Sequence, residues 1–197
     1  MRNSKGFTLV EMAVVLVIIG IILGAVIKGG DLIDNAKEKQ FKSEISLLTT
    51  SYYNYLDKFG RLPGDDDKAD TRWPGASNGD KSGLIGFTPA LAVNATETAP
   101  GTGALNHLRR AGLISDQAVT STSPFSSQVY NGVTMNFGAD NAAAFGKNSN
   151  LLIITNIGKD DKLAYDAKYD DGVYNTGDVR SENAAAYDAQ ALWIRLR

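Results

Sequence analysis

The hydrophobic positions fall into two regimes along the first sixty residues. From Phe7 to Ile27 the chain is almost wholly aliphatic, and only Thr8 and Glu11 carry a polar functional group on their side chains. That run is close to the ~20 residues an apolar helix needs to cross the hydrocarbon layer. Past Asp31 the pattern becomes one-sided. Ile33, Phe41, Ile45, Leu48, Tyr52, Leu56 and Phe59 recur at steps of mostly three or four, while Lys37, Lys39, Lys42, Ser43 and Glu44 fill the other side. The spacing predicts one helix from Phe7 to Phe59, about 80 Å long at 1.5 Å per residue. Its first half is hydrophobic all round, and its second half has a single stripe to bury. Gly60 and Pro63-Gly64 end it. The rings of Tyr52, Tyr53, Tyr55 and Phe59, at helical spacing, read as packing.

Beyond the helix the pattern shortens. Residues 60–103 are rich in Gly, Pro, Asp, Asn, Ser and Thr, the composition of an irregular loop region. "ALNHLRRAGLI", Ala104 to Ile114, reads as a short helix stopped by Gly112, with His107 on its surface or partly packed. "QVYNGVTMNFG" places Asn131-Gly132 between alternating residues and predicts a tight hairpin. Leu151–Ile157 reads as an aliphatic strand. "ALWIRLR", Ala191 to Arg197, reads as a last strand with Leu192, Ile194 and Leu196 on one side. The fold class is therefore α+β: a lollipop whose long helix protrudes for half its length and packs for the other half under an antiparallel sheet with long loops. The divisions are 1–6 as a leader, 7–30 as the apolar half of the helix, 31–59 as its amphipathic half, and 60–197 as a globular head.

Composition narrows the function. The formal net charge of −2 is spread along the chain, which gives no polybasic footprint for nucleic acid. There is no cysteine and one histidine, so thiol catalysis, cysteine metal sites and a histidine-based centre have no residues to build on. No carboxylate pair suits a hydrolase and no phosphate loop occurs, so the chain is read as no enzyme. A disposable secretory signal is the competing reading of the first thirty residues. It lacks a small-residue cleavage site, since the run ends in Ile27-Lys28-Gly29-Gly30 and continues into helix. Arg2 and Lys5 before the span place the N-terminus in the cytoplasm.

Glu11 is then the anomaly, because an ionised carboxylate inside a span is costly and reads as functional. A cut between Gly6 and Phe7 would create an α-amino cation close to it, and the two charges would neutralise each other within one chain or between neighbours. "KGFTLVEMAVVLVIIGIIL" resembles the class III signal of type IV pilins and type II secretion pseudopilins. The resemblance implies cleavage between Gly6 and Phe7 by a prepilin peptidase, N-methylation of Phe7, and Glu11 as the assembly glutamate. Loss of Arg2 and Lys5 with the leader would take the formal charge from −2 to −4. The implied partners are membrane lipid, an inner-membrane assembly platform and like or related pilin subunits in a helical filament. The location is a single-pass inner-membrane anchor followed by a periplasmic or cell-surface filament. Such filaments often stretch part of this helix; here no proline precedes Pro63, so loosening is expected between Gly20 and Gly30. Gly20-x-x-x-Gly24 is also a weak close-packing motif. The alternative is an anchored binding or adhesion protein that never polymerises.

A second resemblance concerns the head. "LPGDDDKADTRWPGASNGDKSGLIG" is similar to a pilin-like subgroup with an LPGD motif followed by NGDGDG. "LAYDAKYDDGVYNTGDVR" resembles a later segment of the same subgroup. Closely spaced oxygens separated by glycine are the donor set of a calcium loop, and Asp65, Asn78 and Asp80, with Asp170, Asp171 and Asp178, are the candidate ligands. Lys81 and Ser82 stand where the subgroup has glycine and aspartate, which weighs against calcium as a cofactor. Solvated turns closed by Asp65, Asp66, Asp67 and Asp70, and by salt links from the later aspartates to Lys168 or Arg180, are the simpler reading. Nothing in residues 86–103 or 115–128 carries a resemblance.

Overall fold

The computed structural model describes residues 6, 8–85, 103–118, 121, 123–141, 145, 148–181 and 191–197. It holds two units, Met1–Gln40 and Phe41–Arg197. Helix α1 spans Leu9–Phe59 without a break. It passes Gly20, Gly24, Gly29 and Gly30, each with open space where a Cβ would stand. The stretch where loosening was expected is thus regular helix in the isolated chain. α1 stops at Gly60, whose φ of +63° suits the left-handed cap and whose N–H reaches Leu56 O at 2.7 Å.

In the first unit the apolar residues of α1 are exposed, Leu9 and Val26 among them. It is the one helix among the described residues long and apolar enough to cross a membrane. Ile33, expected in the stripe, is exposed as well. In the second unit the buried apolar positions of α1 are Phe41, Ile45, Leu48, Tyr52 and Tyr55, alternating steps of four and three. Ser51 and Glu44, the latter expected on the polar side, are buried beside them, Glu44 because it accepts from the Ser127 hydroxyl and Gln128 N–H. Tyr55, not Leu56, continues the stripe, and Phe59, partly buried against the core, ends it, because alternating steps of four and three keep one face turned to the sheet.

That sheet has five strands in the order β1-β2-β3-β5-β4, antiparallel throughout. They are β1 Phe125–Ser126, β2 Thr134–Asn141, β3 Asn148–Thr155, β4 Val179–Ser181 and β5 Ala191–Leu196. Phe137 pairs with Leu152, and Leu152 with Ile194, so one pleat delivers Met135, Phe137, Leu152, Ile154, Leu192 and Leu196 to the core beneath α1. The three β5 residues predicted to share a side do share it. The opposite face is also apolar: Leu151, Ile153, Ala191 and Trp193 gather with Phe145. The guanidiniums of Arg180 and Arg195 lie 4.6 and 5.1 Å from the Phe145 ring centre.

The Asn131-Gly132 turn is present, but it is not a two-residue hairpin. β1 and β2 are joined by residues 127–133, and the turn sits inside that connection. Gly132 has φ +80° and Val133 N–H bonds Tyr130 O at 3.2 Å, while Asn131 is not left-handed. A type I′ hairpin needs both central residues left-handed, so the pair forms an ordinary turn with glycine third.

Among the described residues, three short helices complete the unit: α2 Ala69–Arg72, α3 Ala104–Arg110 and α4 Lys159–Tyr169. α3 ends two residues before Gly112, as expected of a left-handed stop (φ +71°), with Leu113 N–H returning to Leu108 O at 2.9 Å.

Candidate functional site

Thr8 and Glu11 form a reciprocal cap at the start of α1. Thr8 N–H donates to Glu11 Oε2 at 2.7 Å, and the Thr8 hydroxyl donates to the same oxygen at 2.8 Å. Glu11 N–H in turn donates to Thr8 Oγ1 at 3.3 Å. This is a capping box with Thr8 at the N-cap and Glu11 at the third helical position. The acid therefore has a local task, since the first turn leaves backbone N–H groups without helical partners. Its charge is hydrogen-bonded but has no cation beside it among the described residues. Thr8 is the residue that the sequence reading passed over; the T-x-x-E spacing was the available signal. Gly6 is exposed. Phe7, where cleavage and methylation were expected, lies outside the described residues, as do Met1–Lys5.

The aspartate-rich loops do not make one site. Asp65, Asn78 and Asp80 belong to the loop after α1, where their oxygens hold backbone. Asp65 accepts Ser82 N–H at 3.0 Å and Gly83 N–H at 2.7 Å. Asp80 shares the Ser82 N–H at 3.0 Å, and Asn78 Oδ1 accepts Asp70 N–H at 2.9 Å. Burial and the neighbouring Asp80 push the Asp65 carboxyl up, whereas Ser82 holds Asp80 down, so a proton on the pair resides on Asp65. Lys81, next in the chain to Asp80, is left-handed at φ +61°.

Asp170 and Asp171 lie elsewhere, grouped with Asp166, all three offering oxygens within 4.8 Å. Asp170 accepts Val179 N–H at 2.8 Å; Asp171 accepts Val173 N–H at 2.8 Å and the Thr176 hydroxyl at 2.5 Å. Asp178 is apart from both. It pairs with Arg195 and, at 2.5 Å, with Arg197. Burial alone would raise its carboxyl, but the two guanidiniums outweigh that and hold it below the usual range. Arg180 donates to Gly177 O at 3.1 Å, lies over Phe145 and helps to lower the Asp171 carboxyl, while Asp178 takes Arg195 and Arg197 from β5.

Two residues of the first loop are not solvated as expected. Asp65 is 3 % exposed and Asp66 fully buried. Asp66 accepts from the Tyr55 hydroxyl at 2.7 Å, Lys68 N–H at 2.9 Å and Arg72 Nη2 at 2.6 Å. Asp67 and Asp70 stay near the surface, where Arg61 and Asn78 respectively lower their carboxyls.

His107, expected at the surface or partly packed, is completely buried. Its Nδ1 accepts Gly64 N–H at 3.0 Å and its Nε2 lies 2.8 Å from Ser77 O, so the ring carries its single proton on Nε2. It clasps α3 to both ends of the acidic loop. Burial pulls its pKa below the ordinary 6.5; contacts with Ser77 and Asp66 act upward, and Arg110 and Arg72 downward. The unfolded chain therefore binds more protons than the folded one just below pH 6.5, so stability rises with pH there. On acidification this residue is expected to remove at most about 1.4 kcal/mol of stability per pH unit below ~6.5. Thermal unfolding at several pH values, wild type against His107→Asn, checks it: the variant keeps an acceptor for Gly64 and should lose that increment of pH dependence.

Among known families, the chain matches the prokaryotic N-terminal methylation motif at residues 1–27. No curated protein and no solved structure matches the chain. The motif covers the first six residues, Phe7, the Thr8–Glu11 cap and the apolar run in one unit. α1 is bare and apolar through that same stretch, so the matched residues have the pattern of the class III signal of type IV pilins and pseudopilins, followed by a helix long and apolar enough to cross a membrane.

Proposed function

We propose that the chain is a structural subunit that is cut after Gly6 by a prepilin peptidase, methylated on the Phe7 amine, and assembled into the helical filament of a type IV pilus or type II secretion system. Before assembly it sits in the inner membrane with its N-terminus in the cytoplasm. An inner-membrane platform then passes it to like or related subunits outside. The observation that carries this reading is the methylation motif at residues 1–27. Exposed apolar residues along the first part of α1 support it, because they need lipid first and neighbouring helices later. Repeated head-to-tail contacts that do not close give an open filament. Glu11 meets the Phe7 amine of a neighbour in that packing, so each charge has a partner.

Intact mass of the chain purified from membranes and from sheared filaments tests the proposal. The expected mature species lacks Met1–Gly6 and carries one added methyl group, located on Phe7 by fragmentation. A full-length chain starting at Met1 and absent from any filament would instead fit the anchored binding protein.

A further inference from the structure

The chain contains two Asn-Gly pairs, Asn78-Gly79 and Asn131-Gly132, and their surroundings differ in the respects that decide a spontaneous backbone reaction. Asn-Gly is chemically vulnerable because glycine has no side chain to shield its nitrogen from the preceding amide carbon. Asn131 and Gly132 are both exposed, at the tip of the connection between β1 and β2. Neither the Asn131 side-chain amide nor the Gly132 N–H takes part in a hydrogen bond among the described residues. Only the carbonyl of Gly132 is engaged, accepting Asn156 Nδ2 at 3.2 Å. The nucleophile and the electrophile are thus adjacent, solvated and unrestrained.

The other pair is locked. Asn78 Oδ1 is held by Asp70 N–H at 2.9 Å, and Gly79 N–H is spent on Asp66 O at 2.8 Å. Gly79 also lies so close to the Asp65 backbone that a Cβ there would overlap it. Rotating the Asn78 amide onto the Gly79 nitrogen would break both bonds in a space with no slack.

We propose that Asn131 is a site of spontaneous deamidation in the folded protein and that Asn78 is protected from it. Hydroxide removes the Gly132 N–H proton, and the nitrogen adds to Cγ of Asn131. The bond from Cγ to the side-chain nitrogen breaks, and that nitrogen leaves with a proton as ammonia. Water then opens the cyclic imide at either carbonyl, giving aspartate or an isoaspartyl linkage. One water is consumed and one ammonia released, with no redox change. The product adds one negative charge to an exposed turn, and the isoaspartyl form inserts a backbone carbon beside Tyr130. That residue's ring lies 5.1 Å from Phe41 on α1, and its hydroxyl bonds Asp161 at 3.2 Å. The reaction therefore alters both the charge and the anchoring of this surface, progressively with the age of each molecule.

The test is to incubate the full-length, detergent-solubilised chain at neutral to mildly alkaline pH and map both peptides by mass spectrometry over time. The Asn131 peptide should gain the amide-to-acid mass increment, about tenfold faster per pH unit because the amide nitrogen is far below its pKa. The Asn78 peptide should stay unchanged until denaturant is added, after which the two react at comparable rates. Asn131→Gln, whose longer side chain disfavours the ring closure, should abolish the increment without disturbing the near-ultraviolet circular dichroism. Equal conversion of Asn78 and Asn131 in the folded chain, or conversion of Asn131 only after unfolding, would overturn the assignment.

Discussion

Glu11→Leu is expected to leave the chain inserted in the membrane and cut after Gly6, yet absent from sheared filaments. Leucine removes a charge that costs a few kcal/mol in a membrane span, so insertion is eased rather than impaired. On the proposed assembly, what disappears is the partner of a cation at Phe7, which filament packing would shield from water. Breaking a buried ion pair from one side costs about 3–5 kcal/mol because the remaining charge has nowhere to go. Summed over every subunit of a filament, that loss stops polymerisation. The capping box adds a second thing that Glu11→Leu destroys, since Glu11 Oε2 accepts from Thr8 N–H and its hydroxyl. Glu11→Gln separates the two. A glutamine at this position still completes the box, so only the charge is lost. Filament blots in which both variants are missing locate the effect in the charge. Recovery with glutamine would locate it in the cap, which is worth about 1 kcal/mol.

The N-terminal half was the more legible part of the sequence, for a physical reason. A long helix declares itself through local spacing, and α1 ends one residue before Gly60, as the turn signals implied. The charge anomaly at Glu11 was visible because any polar group in an apolar run stands out. Its bond to Thr8 is equally local, but the expected partner was a cation at Phe7, within the chain or on a neighbour. In the head, β5 was legible from its alternation and β3 from its aliphatic run, although β3 is Asn148–Thr155 rather than Leu151–Ile157, because its polar start carries no aliphatic signal. The two-residue β1 and the three-residue β4 carry too little pattern to declare themselves. The second apolar face, with Trp193 and Leu151, was hidden because the interleaved positions read as a strand's solvent side. Burial of His107 depends on residues tens of positions away, such as Gly64 at a separation of 43, and that of Asp66 on the way the loop folds back on Tyr55 and Arg72. Periodicity holds no information about such contacts, so composition alone suggested surface.

Asp66 and Asp67 are neighbours in a run of three aspartates, and alanine at each is expected to give opposite results. Asp66→Ala should destabilise the head by about 3–5 kcal/mol, the range for removing one side of a buried charged network. Asp66 is 0 % exposed, and its loss strands the Tyr55 hydroxyl, which has no water to turn to, and releases Arg72, which spans Asp66 and the face of Phe59 at 4.8 Å. Lys68 N–H, at the start of α2, loses its acceptor too. The damage then spreads, because the Asp66 backbone carbonyl holds Gly79 and so the far end of the loop. Asp67→Ala removes only a bridge to Arg61 at 3.0 Å, with both side chains about a third exposed. Water and salt replace most of such a pair, so a change of at most about 1 kcal/mol is expected. Denaturant unfolding of the two variants beside wild type, followed by near-ultraviolet circular dichroism to report the packed tyrosines and Trp73, measures the contrast. An Asp66→Ala midpoint indistinguishable from that of Asp67→Ala would mean that Arg72 and Tyr55 find other partners, and that the loop is held by the His107 clasp and the Asp65 bonds alone.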